Sequence, residues 1–478
     1  MLYNDGDRFN VVYYDGKPVG TIFYKGQCIY PGLYDPGDRA VLLNGYIFGE
    51  LPPLSGENIV RIVRSKTPPP DGADVHIISD SEYTKFTDDI IYAWVHNNTL
   101  CWYCKKSKIY ANTQFTLYTP SGVGSLNRVT DISGLSDIDT SLTTDLRYGL
   151  HLFNVSDLSP IKDWDVHNVT SFYACFAGTG ALNLLDLRQW DTSSAIDFEA
   201  MFEGSWKLTT LSGIENWNTS NVTTMFDTFA DCSELTNLSA LANWDISSVT
   251  NLYRTFSNCD ELTDISGLAD WDVSNVTNMN VLFGNCKKLS DISALSNWKI
   301  NPECDMQIMF SYTNVTDFSP IYGWEFPVYA TTTGGVDAFF SQTKITKFDF
   351  YNLYNVPDNS FVLRRTFYQC SELLICDLST KCAKFDRITS FTEGVFQYCT
   401  KLHTLIIRNS TMLPFDSITN IGRTFQGTVL RSSAGKLYVP QDLIYDYTHN
   451  IMWSSTLLNY GCQILPLEGS PYEEPGSI

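Results

Sequence analysis

Seven tryptophans keep time in this chain. Trp164, Trp190, Trp217, Trp244, Trp271, Trp298 and Trp324 stand at gaps of 26, 27, 27, 27, 27 and 26 residues. Phe176, Phe202, Phe229, Phe256, Phe283 and Phe310 keep the same beat. Phe340, Phe367, Phe396 and Phe425 continue it at gaps of 30, 27, 29 and 29 after the tryptophan is lost. A period of this length over residues 129–435 restricts the fold to stacked units that contact their neighbours. One unit cannot bury its apolar face alone.

The segment Asn275–Leu295 shows what one unit contains. Asn275 is suited to cap a short helix. Val276, Met279, Leu282 and Phe283 then fall on one helical face. Gly284-Asn285 tolerates the left-handed backbone that ends a helix. Leu289-Ser290-Asp291-Ile292 suits a short strand. The sequence therefore predicts an α/β repeat solenoid, leucine-rich-repeat-like, with short parallel strands plus short helices. A small β-rich N-terminal module and β-leaning caps complete it.

Three residues after the phenylalanine stand Cys232, Cys259, Cys286, Cys370 and Cys399, or else Thr179, Ser205, Thr313, Thr343 and Thr428. The position asks for something small and weakly polar, so the cysteines read as a buried, reduced ladder. Trp217, Trp244 and Trp271 read as packing plugs, and Phe229, Phe256 and Phe283 as core. The two residues between the strand leucines face outward by strand alternation. They are Thr209-Thr210, Thr236-Asn237, Thr263-Asp264, Ser290-Asp291 and Thr316-Asp317. Their short polar groups form the candidate binding face for a sugar or a flat protein partner.

Outside the repeat, residues 1–33 hold two turn signals, Asp15-Gly16 and Lys25-Gly26, between β-rich runs. These read as two hairpins. Residues 34–54 read as a connector, 55–128 as the N-terminal cap, 436–468 as the C-terminal cap, and 469–478 as a polar, loosely held tail. The run "KTPPPDGADV" in the N-terminal cap reads as an extended loop.

The chain of 478 residues carries a formal charge of −21. That surface disfavours nucleic acid and anionic headgroups as partners. No apolar run reaches the roughly 20 residues of a membrane span, so membrane insertion is not expected. The opening "MLYNDGDRFNVVYYDGK" has no basic segment followed by an apolar one. The expectation is a mature chain starting at Met1 that does not use general export. No catalytic motif, cofactor motif or metal-ligand pattern is evident. Cys101 and Cys104 form a lone CxxC inside an aromatic, alternating run and read as strand residues. Asp137 and Asp139 read as members of a solvated loop.

The phrase W-D-x-S-x-V-T-x-(M/L)-x-x-x-F-x-x-C-x-x-L-x-x-(I/L) resembles the BspA-like leucine-rich repeats of bacterial surface proteins. The flanks "IIYAWVHNNTLCWYCKKSKIYANTQ" and "KLYVPQDLIYDY" resemble that group's usual cap and ending. The resemblance implies surface display and adhesion to proteins or glycans, without catalysis. The opening "VVYYDGKPVGTIFYKGQCIYPG" is similar to short repeats at the start of some bacteriophage structural proteins. This implies a non-enzymatic virion surface protein, a head or tail fibre or decoration. Residues 1–33 would attach it to other virion proteins or self-associate, and the repeats would meet a host surface protein or glycan. The alternative is a bacterial cell-surface adhesin.

Overall fold

A computed structural model describes residues 59–79, 90–106, 109–117, 128–151, 154–324, 337–349, 361–378, 394–413 and 423–478, with the backbone of strands at 13–46 and 388–391. The proline pair Pro52-Pro53 and the residue Tyr118 lie outside it. Packing divides the chain into two units: Met1–Thr179 with Gln189–Ala195, and Gly180–Arg188 with Ile196–Ile478.

In the first unit both hairpins form. Tyr13–Tyr14 pairs antiparallel with Lys17–Pro18, and Ile22–Tyr24 with Gln27–Tyr30. The connector does not stand apart, however. Ala40–Val41 and Gly45–Tyr46 pair in parallel with Ile109–Tyr110 and Phe115–Thr116 of the cap. These ladder bonds draw the connector into the cap.

The cap is a four-stranded sheet. Tyr92–His96 and Thr99–Tyr103 form a hairpin, and Arg61–Arg64 runs parallel to the second strand. Asn97 and Asn98 turn the hairpin with φ of 47° and 58°. Those are the signs a two-residue type I′ turn demands, and asparagine tolerates them. Cys101 lies in this strand as expected. The cap grips the first rung through Arg64, whose guanidinium meets Asp137 at 2.8 Å, and through the Trp102 indole, which donates to the Gly134 carbonyl at 3.0 Å. A Cβ on Gly134 would meet the Val63 backbone at 2.7 Å, so only glycine permits this approach. Asp139 accepts from the Ser141 backbone and hydroxyl. Asp137 and Asp139 are thus both committed to structure.

The second unit stacks rungs in register. Asp197, Thr224, Asn251, Asn278 and Asp305 form one column of parallel bridges. The expected rung helix does not form: no α-helix occurs within residues 154–324. Backbone bonding from Met279 to Cys286 gives the reason. The N–H groups of Met279, Val281, Phe283 and Asn285 donate to Asp305, Gln307, Met309 and Ser311 of the next rung. Those of Leu282, Gly284 and Cys286 close tight turns onto Met279, Val281 and Phe283. That of Asn280 is taken by the Asn278 side chain. Every donor from 279 to 286 has an acceptor, half of them on a neighbour, so no donor is left for a helix. The apolar spacing that suggests a helix is produced by this chain of turns. Asn275 caps nothing; its side-chain amide donates to Ser247 of the preceding rung.

Short 3-10 turns occur instead after the apolar-x-x-apolar step, at Ser239–Leu241, Ser266–Leu268, Ser293–Asn297 and Ser319–Ile321. Each tryptophan indole on the beat donates to a backbone carbonyl of the preceding rung. Trp244 reaches Ile214, Trp271 reaches Leu241, and Trp298 reaches Leu268, at 2.9, 3.1 and 2.9 Å. The tryptophan is buried as a plug, and its polar edge is what sets the spacing.

Toward the C-terminus the step becomes true strand. Lys347–Asp349, Ile375–Asp377, Thr404–Ile406, Lys436–Val439 and Gln463–Pro466 form one parallel sheet. The C-terminal cap is not purely β-leaning. It places helices Ile444–His449 and Ile451–Thr456 between its two strands, and Asn450 caps the second. Trp453 packs against Phe425 at 6.0 Å, tilted by 44°, at the end of the phenylalanine column.

The tail is docked, not loose. Arg408 and Asp377 are a buried ion pair at 3.1 Å, and the same guanidinium donates to the carbonyls of Tyr472, Glu473 and Glu474. Tyr472 and Ile478 pack against Ile406, Tyr438 and Leu467. The tail buries the outer face of the last strands and brings its own polar backbone to a buried cation.

Candidate interaction face

The column geometry sorts each repeated side chain into scaffold or surface. Phe202, Phe229, Phe256, Phe283 and Phe310 are fully buried and stack at 5.5 to 5.9 Å. Behind them the thiols of Cys232, Cys259 and Cys286 donate to the carbonyls of Phe202, Phe229 and Phe256 at 3.3, 3.3 and 3.1 Å. Burial pushes all three thiols well above their ordinary range. Thr313 instead bonds its own rung's Phe310 carbonyl at 2.8 Å. A small side chain with one donor satisfies the position, which is why cysteine, serine and threonine exchange there.

The candidate face from the sequence is exposed or half-exposed, and its side chains are already engaged. The hydroxyls of Thr209, Thr236 and Thr263 donate to Leu182, Thr209 and Thr236 of the preceding rung at 3.1 to 3.3 Å. The second members act on the backbone two residues on. Asn237, Asp264, Asp291 and Asp317 accept from Ser239, Ser266, Ser293 and Ser319 at 3.4, 2.8, 2.8 and 2.8 Å. Thr210 does the same for Ser212 at 3.3 Å. These are Asx and hydroxyl turns that start the 3-10 segment. The Ser293 backbone and side-chain bonds hold the Asp291 carboxyl below its usual range. Ser290 and Thr316 are exposed beside them.

The structure brings together a second group that sequence reasoning missed. It lies on the other ladder of the same rungs. Phe226 and Tyr253 stack there at 4.9 Å with 13° between planes, half-buried. Glu199 stands one rung before them in the same column. The adjoining column holds Asp227 and Arg254, joined at 3.3 Å; Arg254 also meets Asp231 at 3.4 Å. Asn258 donates to Asp231 at 2.8 Å. Asp227 is 5 % exposed, and the Arg254 guanidinium lies 3.3 Å from both of its carboxylate oxygens. Desolvation, together with Glu203, Asp231 and Glu199 and against the pull of Arg254, raises the Asp227 carboxyl to about 6. Burial raises Glu199 and Glu203 as well.

That column demands a left-handed backbone: φ is 52° at Ala200, 54° at Asp227, 52° at Arg254, 60° at Val281 and 59° at Ile308. Such angles are costly for β-branched residues. The ladder bonds of Val281 and Ile308 to the next rung impose them. The missed signal was the column itself. Ala174 and Ala200 are small there, whereas Asp227 and Arg254 bring opposite charges into adjacent rungs.

Among the described residues no group of three or more His, Cys, Asp or Glu side chains is placed to hold a metal ion. Nor is any described helix long and apolar enough to cross a membrane.

Residues 125–237 and 205–324 match a family described as "Mycoplasma protein of unknown function, DUF285". The chain is similar to a solved leucine-rich repeat protein from Bacteroides ovatus at 13% identity, over 95% of this chain and 100% of that one, with a TM-score of 0.30. No curated protein matches.

Proposed function

We propose that the protein is a non-enzymatic interaction scaffold, a repeat solenoid displayed on a surface. The observation that carries this is the division of labour within a rung. Tryptophan, phenylalanine and cysteine side chains and the backbone donors are consumed by neighbouring rungs. Short polar side chains recur outside them at rung spacing. Such an arrangement presents many weak contacts in a row, which suits adhesion.

The finer reading is a bacteriophage head or tail fibre or decoration protein. Residues 1–33 attach it to other virion proteins, and self-association is a second use of the same hairpins. The exposed columns, including Thr209, Thr236, Asp264, Asp291 and Asp317, meet a host protein or glycan. The two adjacent hairpins between residues 13 and 30 support a separate small module. A chain beginning at residue 34 tests it, because that start keeps the strands at 40–41 and 45–46. Loss of incorporation into particles with an unchanged melting temperature is expected. Undiminished incorporation would sink the attachment role.

The second reading is a bacterial cell-surface adhesin, in keeping with the match to a family described from Mycoplasma. Antibody labelling of intact cells and of particles separates the two readings.

A further inference from the structure

We infer that the groove built by Ile375, Asp377, Ile406, Arg408, Tyr438 and Leu467 is a peptide site that a second copy of this chain fills with its own residues 469–478. Neighbouring copies thus exchange tails and are joined at their C-terminal caps. The site does not rest on the display reading; only the crowding that favours exchange does.

Hydrogen bonding is the first argument. Asp377 is fully buried at the end of the strand Ile375–Asp377, and one of its oxygens accepts from Nε and Nη2 of Arg408 at 3.1 Å. The carboxylate fixes the guanidinium, whose side chain is 6 % exposed. Nη1 and Nη2 then donate to three successive main-chain carbonyls of the tail: Tyr472, Glu473 at 2.8 Å and Glu474 at 3.2 Å. A fixed, buried cation that addresses backbone oxygens recognises a peptide as a peptide. The pair with Asp377 holds it in place before the peptide arrives.

The second argument is that the tail is self-contained. The backbone N–H groups of Ser470 and Glu473 donate to the carbonyls of Leu467 and Ser470. That of Gly469 donates to the Glu473 carboxylate, and that of Tyr472 to the Ser470 hydroxyl. These donors close within residues 467–473, so the segment carries its turns with it and adds no strand to the sheet. Arg408 holds it to the body, together with Tyr472 against Tyr438 at 5.1 Å and Ile478 in the same apolar cluster. Such a segment leaves one groove and enters another without unmaking a ladder. At the joint, Gly469 has φ of 72°, and a Cβ there would touch nothing within 4 Å. The exit from the last strand is open.

The third argument is complementarity. Groove and tail belong to one chain, so an exchange between two copies closes on itself as a two-fold pair. A tail competes for its own groove at an effective concentration on the order of millimolar. Dilute chains therefore keep their tails, and copies crowded to that density exchange them.

The test begins with the chain ending at Glu468 and a fluorescent peptide of residues 469–478, read by anisotropy. Binding with a Kd of about 1–100 μM is expected. Tyr472→Ala in the peptide should weaken it tenfold or more. Glu473→Gln/Glu474→Gln should change it less than threefold, because Arg408 meets the carbonyls of these residues. The unaltered full chain, its groove already filled, should bind the peptide at least tenfold more weakly. Exchange is then read by light scattering of the full chain at up to about 1 mM. Its mean mass should rise toward that of a pair, and the mass of the chain ending at Glu468 should not. A truncated chain that melts cooperatively and does not bind the peptide overturns the site. Masses that stay equal for the two chains overturn the exchange, and a shared rise assigns association to another part, such as residues 1–33. If the truncated chain does not melt cooperatively, the full chain carrying Tyr472→Ala replaces it, since its own tail is loosened. That variant should bind the unaltered peptide at least fivefold more tightly than the unaltered full chain does, and no gain overturns the site.

Discussion

Two stretches of the second unit solve the same stacking problem differently. Rungs up to Trp324 carry a tryptophan and turn into a 3-10 segment after the apolar-x-x-apolar step. Rungs from Lys347 onward have no tryptophan on the beat and continue as strand. The sequence at the branch point explains the choice. Before Trp324 the step reads Asp264-Ile265-Ser266 or Asp291-Ile292-Ser293, and the aspartate pulls the serine N–H into a turn. The later rungs read Ile375-Cys376-Asp377 and Thr404-Leu405-Ile406, with no such acceptor before a serine. Apolar and β-branched residues then stay extended and pair. The tryptophan indole adds an inter-rung bond to the backbone ladder in the first stretch, and paired strands supply the bonding at this step in the second. Only the second needs a cover for its outer face, and the tail provides one.

Removing the indole should break the first stretch most. Trp271→Ala should cost about 3–5 kcal/mol in denaturant unfolding, because it loses a buried ring and the bond to Leu241. Trp271→Phe keeps most of the volume and should cost about 1–2 kcal/mol, the share of the unmet carbonyl. A cost below about 1 kcal/mol for the alanine variant would show that the tryptophans do not hold the rungs.

The second stretch should respond to loss of its cover. Deleting residues 469–478 strips Arg408 of its carbonyl partners and uncovers Ile406 and Tyr438. A loss of about 2–4 kcal/mol is expected, on the scale of two exposed large side chains and a weakened buried pair. The same deletion should leave the reactivity of Cys286 toward thiol reagents unchanged, since Cys286 lies in the tryptophan stretch.

Much of this contrast was legible in the sequence, and its limits are physical. The period, the core identity of Phe229, Phe256 and Phe283, and the interchangeable cysteine site follow from spacing alone. The spacing at Val276–Phe283 suggests a helix because a chain of turns places apolar residues at 276, 279, 282 and 283 just as a helix does. Only inter-rung bonding distinguishes the two, and a period cannot report it. The pairs such as Thr263-Asp264 were correctly placed outside the core. Their bonds to the backbone were hidden because an aspartate two residues before a serine reads equally as ligand or turn. The charged group around Asp227 is spread over residues 199–254, so no local motif announces it.

Asp227 sharpens the difference between scaffold and charged group. Its carboxyl, at about 6, lies above the ordinary aspartate value of 3.8. The folded chain then holds the proton more tightly than the unfolded chain. Stability accordingly falls as pH rises from about 4 to about 6 and stays lower above that. The charges facing it are Arg254, Glu203, Asp231 and Glu199. Asp227→Asn removes the ionisation and also suits the left-handed backbone. It should therefore stabilise the chain by about 1–3 kcal/mol at pH 7.5, with the gain gone near pH 4. A destabilised variant at pH 7.5 would make the Arg254 pair structural.

The smallest effect concerns the face first read from the sequence. If Asp291 serves the turn at Ser293, Asp291→Ala should cost about 1 kcal/mol, as loss of a capping acceptor does. Asp291→Asn keeps the acceptor oxygen and should cost only a few tenths as much. Ser290→Ala, next to it and exposed, should cost nothing measurable. A chain in which Asp291→Ala is silent in stability but weakens the proposed attachment to a partner would return that column to a binding role. A chain in which it lowers stability and leaves attachment unchanged assigns the column to the scaffold.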